Sequence, residues 1–263
     1  MQQNEYELVR QVQSRHWWWL GRERIIETLI DKYIETSVKL EIADVGCGFG
    51  ANISMLRKYG DVTGLELNDE AIDTVKSRWG NSVQALRWQS PNSLAMRFNF
   101  MLLADVLEHI PDDKGAVDWM NEHLSDSGYA LITVPAHRFF WTQMDDVLYH
   151  HRRYTLKTLR ELFDDRFEIV YCSYYNMLLF PVKACFVLFD RLKRKLSPSS
   201  AKRSYNDLPP ALVNNIFKHI LMLESPLIRR GVVPFGVSLV CLVRKKASKA
   251  QAEQMVTDKA VGL

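Results

Sequence analysis

The densest group of side chains that could do chemistry lies in one segment, "VPAHRFFWTQMDDVLYHHRRYT", residues 134–155. Imidazoles titrate near neutral pH, so His150 or His151 could remove a proton from an oxygen or nitrogen nucleophile. Paired guanidinium groups bind phosphate or carboxylate, a role open to Arg152 and Arg153. The alternative is a solvated loop that caps the next helix. We predict a substrate site here, formed by His137, Trp141, Arg152, Arg153 and Tyr154, with His150 or His151 as the base.

A second chemical pattern is the glycine-rich turn in "EIADVGCGFGAN", residues 41–52. Gly46, Gly48 and Gly50 can adopt positive φ and let a ligand approach the backbone closely. Glu66 ends the next β-branched run about 20 residues later, where a carboxylate can accept hydrogen bonds from both hydroxyls of a ribose. A tight structural turn explains the glycines alone. The order of strand, turn, helix, strand and acid predicts a nucleoside site.

The elements that position these groups alternate between strand and helix patterns, which is typical of a parallel sheet flanked by helices. Strands are predicted near Glu41–Val45, Val62–Glu66, Val83–Trp88, Phe100–Ala104 and Tyr129–Val134, with helices near Asn52–Tyr59, Glu70–Trp79 and Lys114–Leu124. Ligands bind at the carboxyl ends of such strands. The glycine turn and the histidine segment are therefore expected at one edge of the sheet.

The pattern changes after Pro135. We predict a helix capped by Thr155, a strand at "FEIVYCSYY", a helix in "NMLLFPVKACFVLFDRLKRKL", a linker at "SPSSAKRSYNDLPP", a helix over Ala211–Arg229 and a strand over Val237–Val243. The C-terminal tail lacks apolar periodicity, so disorder is expected there.

Several of these motifs resemble the class I S-adenosylmethionine-dependent methyltransferases. "ADVGCGFG" is similar to that family's first motif, "FNFMLLADVLEHIPD" to its fourth strand and active-site rim, and "HLSDSGYALITVP" to its fifth strand and the turn before it. The "DVLEHI" segment resembles a bacterial branch that acts on small molecules and lipid precursors (methyltransferase types 11, 12 and 23). A dinucleotide oxidoreductase would more usually show GxGxxG, and Asp44 would disfavour a pyrophosphate.

The resemblance implies a Rossmann-like α/β fold, mostly parallel and seven-stranded, with an antiparallel final hairpin and helices on both faces. It also implies S-adenosylmethionine as cofactor and S-adenosylhomocysteine as its product. Asp44 would help to place the cofactor's amine, and His109 on the rim would be a further candidate base. The implied cofactor contacts are Asp44, Gly46, Cys47, Gly48, Gly50, Asn52, Glu66, Leu67, Asp105 and Val106.

One segment departs from the family. After the third strand the family usually carries an acid that contacts the adenine amino group, whereas this chain reads "RWQSPNSL". Gln89 or Ser90 could substitute through side-chain or backbone groups. We therefore assign these two residues to adenine recognition.

The N-terminal stretch "SRHWWWLGRERII" places three successive tryptophans on a predicted helix, where they must point in different directions. One interpretation is a lid over the cofactor, with Trp18 near the sulfonium by cation–π attraction and Arg24 reaching a carboxylate. The other is an aromatic seal over the sheet edge. Under the second interpretation, replacing Trp18 would leave cofactor affinity unchanged.

The apolar helix that ends in "DRLKRKL" also has two interpretations. Apolar residues beside a basic cluster could sit on an anionic membrane surface through residues 177–203, which would admit a lipid-linked acceptor. A buried lid helix with basic residues at its C-terminus is the alternative. The apolar run is too short, and too interrupted by Pro181 and Lys183, to span a bilayer.

Composition limits the remaining possibilities. The formal net charge of +3 gives little reason to expect nucleic-acid binding. Asp145, Asp146, His150 and His151 could hold a divalent metal, but their spacing matches no ligand motif, so we expect none. The four cysteines, Cys47, Cys172, Cys185 and Cys241, lack paired spacing, and the N-terminus lacks a secretory pattern, so we expect the protein in the cytoplasm or at the inner face of the membrane.

We thus expect N-terminal lid helices (1–40), a cofactor-binding domain (41–246) with a substrate loop (135–154) and a helical cap (176–230), and a disordered tail (247–263). The expected reaction moves a methyl group from S-adenosylmethionine to an oxygen or nitrogen of a small-molecule or lipid-linked acceptor, with a histidine as base. A non-catalytic nucleoside-binding or membrane-associated module is the alternative.

Overall fold

A computed structural model describes residues 3–89, 94–196 and 207–247. The strands are β1 (Leu40–Val45), β2 (Gly60–Glu66), β3 (Gln84–Arg87), β4 (Phe98–Ala104), β5 (Leu124–Pro135), β6 (Phe167–Tyr175) and β7 (Ser238–Lys245). The α-helices are α1 (Gln3–Val12), α2 (Trp17–Tyr33), α3 (Ile53–Leu56), α4 (Asp69–Trp79), α5 (Asp113–His123), α6 (Gln143–Val147), α7 (Leu156–Arg160), α8 (Phe180–Leu196), α9 (Ala211–Met222) and α10 (Ser225–Arg230). Short 3₁₀ turns cover Gly80–Ser82, Leu107–His109 and Arg138–Phe140.

The strands form one seven-stranded sheet in the order β3-β2-β1-β4-β5-β7-β6. Strands β1 to β5 pair in parallel, and β7 runs antiparallel between β5 and β6. This confirms the Rossmann-like class and the antiparallel final hairpin. The strand order reverses direction at β1, whose outer neighbours are β2 and β4, and such a switch point opens a crevice at the carboxyl ends of the strands.

The core follows from the burial of both sheet faces. Strands β1 and β4 are apolar and nearly inaccessible along most of their length. Helix α2 packs an inaccessible row of Ile25, Ile26, Leu29 and Ile30 into this core. Near-continuous apolar strands with helices on both faces are the pattern of a buried parallel sheet. The strand ends at the crevice are therefore held on a rigid base.

The structure departs from the predicted boundaries at two helices. The predicted helix over Asn52–Tyr59 is regular only over Ile53–Leu56, since tighter turn bonds close its last residues. The predicted helix over Ala211–Arg229 is two helices, α9 and α10, because Pro226 begins a new helix instead of continuing the first.

Some predictions fall outside the described residues. These are Ser90, most of the linker at 197–206, and the tail beyond Ala247. Within the part of the chain that the structure describes, no helix is both long and apolar enough to cross a bilayer.

Candidate active site

A cleft of about 840 Å³ opens at the carboxyl ends of β1, β2 and β4. Its floor is made by the turns that follow these strands, and its walls by α2, α8 and the segment before Tyr154. This volume lies in the upper range of ligand pockets. The predicted residues that line it are Trp18, Gly46, Cys47, Gly48, Asn52, Glu66, Leu67, Gln89, Asp105, Val106, His109, His150, His151 and Arg153.

The glycine turn has two functions in this floor. Gly46, Gly48 and Gly50 all have positive φ, at 67°, 53° and 78°. A β-carbon on Gly48 would meet no atom within 4 Å, so this glycine faces open space in the cleft. A β-carbon on Gly50 would lie 2.7 Å from the Trp79 ring, so that glycine is required by packing. Of these two glycines, only Gly48 leaves space for a ligand.

Glu66 at the end of β2 is fixed by three backbone N–H groups. Its Oε2 accepts from Gly48 at 2.9 Å, and its Oε1 accepts from Leu67 at 2.8 Å and Asn68 at 3.0 Å. Each carboxylate oxygen keeps further lone-pair capacity for a ligand hydroxyl. The carboxylate is therefore oriented at the cleft before any ligand arrives.

Asp44 lies beneath the turn and is almost fully buried. Its Oδ2 has no hydrogen-bond partner, while Oδ1 is 3.5 Å from the amide nitrogen of Asn52. Burial raises the pKa of Asp44 to about 7, against the opposing effects of Asn52 and Arg22. An unpaired buried carboxylate suits a cationic group such as an amine. Together with open Gly48 and oriented Glu66, it fits S-adenosylmethionine.

The adenine end of the cleft is only partly as predicted. Gln89 lines it and is exposed, while Ser90 lies outside the described residues. Trp88, which the sequence analysis did not select, also lines the cleft and packs on Trp119 with ring centroids 4.3 Å apart. An indole at the end of β3 offers an aromatic surface to a base.

Arg22, and not Arg24, reaches the cleft from α2. The Arg22 guanidinium lies 2.5 Å from Asp105 Oδ2 and also donates to the carbonyl of Ala104. Arg24 pairs instead with Glu27 on the exposed side of the helix. The assignment of Arg24 to the cofactor is therefore not supported. Asp105 itself is held by Arg22 and by the hydroxyl of Thr133, with its backbone at a φ of 58°.

The three tryptophans point in different directions, as their spacing predicted. Trp18 stacks on Tyr175 and Trp17 meets Phe217 edge to face, while all three indoles line the cleft. His16 caps the helix: its Nδ1 accepts from the Trp18 N–H, and burial lowers its pKa to about 4. The aromatic helix therefore walls the cleft, an arrangement open to either interpretation given above.

Opposite the glycine turn, two histidines and a glutamate meet. The rings of His109 and His150 lie edge to face with centroids 4.6 Å apart, although β5 separates them in the chain. Burial and the neighbouring His150 lower the pKa of His109 to about 3. Burial, with Asp105 nearby, raises the pKa of Glu108 well above its usual range. We name Glu108, His109 and His150 the rim cluster.

Asp145 organises the segment behind the rim cluster. Its carboxylate meets His150 Nδ1 at 2.9 Å and accepts from Arg153 at 2.7 and 3.1 Å, while Arg153 also donates to the carbonyl of Ala136. Burial opposes ionisation of Asp145, but the His150 bond and the Arg153 charge hold its pKa well below the usual range. Arg153 thus serves a structural ion pair as well as the cleft wall.

Four predicted substrate residues point away from the cleft. His137 stacks on Tyr174, and the Trp141 indole donates to Asp146. Arg152 and the Tyr154 hydroxyl both bond to Asp113. None of these four side chains lines the cleft, so their assignment to the substrate is not supported.

Several lining residues were missed by the sequence analysis. Lys183 from α8 enters the cleft, and burial lowers its pKa to about 8, with Arg153 contributing. Leu179, Val182 and Phe186 form an apolar wall around it. Their helical spacing could have indicated this face, since they recur at three- and four-residue intervals.

Comparison with known proteins agrees with the fit of S-adenosylmethionine to the cleft. Residues 18–170 match a family described as a methyltransferase domain. A ubiquinone biosynthesis O-methyltransferase of Coxiella burnetii is 32% identical over 90 residues, which cover 31% of this chain and 38% of that protein. The matched part thus spans well under half of the relative.

Solved structures share the fold at low sequence identity. The N-methyltransferase NodS from Bradyrhizobium japonicum, in complex with S-adenosylhomocysteine, is 14% identical with a TM-score of 0.51, over 86% of this chain and 87% of that chain. A coclaurine N-methyltransferase bound to N-methylheliamine and S-adenosylhomocysteine is 15% identical with a TM-score of 0.53, over 86% and 72%.

Proposed function

Because this chain belongs to the class I S-adenosylmethionine-dependent methyltransferases, we propose that it methylates an oxygen or nitrogen of a small-molecule or lipid-linked acceptor. The family match covers more than half of the chain, and the enzyme's cofactor is S-adenosylmethionine. That cofactor supplies an electrophilic methyl group when bound. The protein's part is to bind, align and keep water from the reacting groups.

The observation that carries this proposal is the continuity of the cleft. Gly48, Glu66 and all three residues of the rim cluster line one cavity. A cofactor held over the glycine turn would leave the histidine end for an acceptor. The volume of about 840 Å³ gives room for both molecules.

Oxygen is the favoured acceptor atom. The matched relatives are named O-methyltransferases, and a hydroxyl acceptor needs help with its proton, whereas a neutral amine does not. His150, His151 and His109 all line the acceptor end. We therefore place removal of the acceptor proton among these histidines, as the sequence analysis expected.

The acceptor is expected to have an apolar body. Leu179, Val182, Phe186 and Phe217 line one wall, and Lys183 offers a cation within it. Outside the cleft, α8 exposes Leu188, Phe189 and Leu192 near the basic Lys195. We infer that this face rests on an anionic membrane surface, so that a lipid-linked acceptor could reach the cleft.

Two measurements on the purified protein test the proposal. Calorimetric titration with S-adenosylhomocysteine, beside NAD, should give micromolar affinity for the first and none for the second. Transfer of a labelled methyl group should then be found among phenols, catechols, hydroxy acids and amines in detergent. A variant with His150→Gln and His151→Gln should bind S-adenosylhomocysteine normally but turn over far more slowly. Unchanged turnover would show that neither His150 nor His151 removes the acceptor proton.

A further inference from the structure

The rim cluster has the composition and spacing of a metal site. Among the described residues, Glu108, His109 and His150 each offer one ligand atom, and these atoms all lie within 4.8 Å of one another. We propose that the rim cluster binds one divalent cation of the Zn²⁺ type, which holds the acceptor oxygen. Two imidazoles and one carboxylate are a common catalytic donor set for zinc, with a further position left open.

The carboxylate of Glu108 provides an independent observation. The residue is only 1% exposed, yet its Oε2 has no hydrogen-bond partner. Burying a carboxylate without a partner is strongly unfavourable, so such groups are paired or coordinate metals. A cation beside Oε2 would satisfy this atom.

The two histidines are oriented as metal ligands usually are. The Nδ1 of His150 is held by Asp145 Oδ1 at 2.9 Å, and His109 is hydrogen-bonded to the backbone of Leu148. Ligating histidines almost always engage their second nitrogen with a carboxylate or carbonyl, which fixes the ring. One ring nitrogen of each histidine is therefore occupied by a hydrogen bond outside the cluster. The other ring nitrogen is available to a metal ion.

The surrounding charges permit a cation. Arg153 is paired with Asp145, and Arg22 is paired with Asp105. Both arginine charges are thus offset. Around a tetrahedral ion, ligand atoms about 2.0–2.2 Å from the metal lie roughly 3.3–3.6 Å apart, so ligand atoms that lie up to 4.8 Å apart here must draw in by about 1 Å. The free end of Glu108 can make that adjustment.

This inference rests on the proposed function, because the rim cluster is where the acceptor is expected. A hydroxyl oxygen in the open position would be polarised and would lose its proton to His151, which also lines the cleft, while the ion keeps its oxidation state. His150 and His109 then act as ligands, and His151 stays unbound beside them. The set differs from the aspartate and histidine group weighed in the sequence, of which only His150 is a ligand.

The test uses tag-free, chelator-treated protein saturated with S-adenosylhomocysteine. Equilibrium dialysis should give one Co²⁺ per chain, with visible absorption of low coordination number, and Zn²⁺ should displace it. Glu108→Gln and His150→Gln should each weaken Co²⁺ binding by about 100-fold or more, and Asp145→Asn by about 10- to 100-fold. His151→Gln is the matched control and should keep the stoichiometry and the spectrum.

Binding of S-adenosylhomocysteine to the same samples separates the two proposals and shows that each variant is folded. If S-adenosylhomocysteine binds but Co²⁺ does not, or if Co²⁺ binds equally to wild type and both ligand variants, the metal site is refuted and the methyltransferase function stands. If Co²⁺ binds as expected while no acceptor is methylated, the cation site stands and the proposed acceptor chemistry fails.

Discussion

The carboxylate of Glu66 accepts a hydrogen bond from the backbone N–H of Gly48, with Oε2 and the nitrogen 2.9 Å apart. This bond ties the end of β2 to the turn that follows β1. The same carboxylate accepts two more backbone N–H groups through Oε1. The acid predicted to bind the ribose therefore also sets the shape of the cleft floor.

Glu66→Gln should weaken S-adenosylhomocysteine binding by roughly 10- to 100-fold. The glutamine side chain has an NH₂ group in place of one carboxylate oxygen, and this group cannot accept a hydrogen bond. Each charge-assisted hydrogen bond that is lost is worth about 1.5–3 kcal/mol. Calorimetry measures the affinity. Glu70→Gln is the control, because Glu70 is an exposed surface acid paired with Arg10 and should bind as wild type does. Equal affinity in the Glu66 variant would show that the acid does not contact the cofactor.

Gly48→Ala should lose S-adenosylhomocysteine binding by at least about tenfold while the protein stays folded. The added methyl group meets no protein atom, so the effect on stability is only the positive φ, about 1–2 kcal/mol. The ligand, however, needs that space. Gly80→Ala is matched, since Gly80 also has positive φ and no neighbour within 4 Å, but it does not line the cleft. Loss of binding in both variants would indicate general destabilisation instead.

Much of the fold could be predicted from local pattern. β-Branched runs alternating with helical spacing fix a parallel sheet, and the glycine turn, Glu66 and the rim residues Asp105 and His109 fall at strand ends, where the sheet itself brings them together. The lengths of α3 and α9 could not be predicted. They depend on turn bonds and on Pro226 at the start of a separate helix, which the periodicity of apolar residues does not encode.

There are also physical reasons why some site residues could not be predicted from the sequence. Arg22 and Arg24 lie on opposite sides of one helix. Because three adjacent tryptophans point in different directions, the sequence does not indicate which side of the helix faces the cleft. In the substrate loop, His137 and Tyr149 have positive φ, at 54° and 56°, a conformation that non-glycine residues seldom adopt. These two turns redirect the chain, so the spacing of the loop residues does not indicate which side chains line the cleft.

Binding of S-adenosylhomocysteine should release about one proton near pH 6. The pKa of Asp44 is about 7 in the free protein, whereas a bound amine would favour the carboxylate. Affinity should therefore fall about tenfold per pH unit below 7. Titrations in two buffers of different ionisation enthalpy measure the proton. Asp44→Asn should bind more weakly and show neither effect, and a pH-independent wild type would contradict the assignment.

The same carboxyl group should make the free protein less stable as pH rises. The pKa of Asp44 is raised by folding, so the folded state favours its proton, and this loss of stability grows from about pH 4 and is complete above about pH 7. Asp44→Asn should raise the unfolding free energy near pH 8, by at most about 4 kcal/mol, and change it little near pH 4. Urea denaturation at both pH values measures the difference.

Arg22→Ala should destabilise the protein by about 3–5 kcal/mol, because it leaves the Asp105 carboxylate without its buried partner at 2.5 Å. For a chain of this size that is a fall in Tm of roughly 10 °C. Arg24→Ala removes an exposed pair with Glu27 and should change stability by less than about 1 kcal/mol. Thermal unfolding followed by circular dichroism compares the two. Equal shifts would mean that the Arg22 pair contributes no more than a surface pair.

The exposed face of α8 should bind anionic vesicles through Phe189 and Leu192, whose exposed fractions are 66% and 56%. Insertion of two such side chains is worth a few kcal/mol, at about 25 cal/mol per Å² of buried apolar surface. Flotation with phosphatidylserine vesicles at low salt measures it. The double change Phe189→Ser and Leu192→Ser should abolish flotation and leave S-adenosylhomocysteine affinity intact, since neither side chain lines the cleft. Val38→Ser, an equally exposed change beside the amino end of β1, should float as wild type does. If the wild type stays in solution, the face does not bind anionic membranes and the acceptor need not come from a membrane.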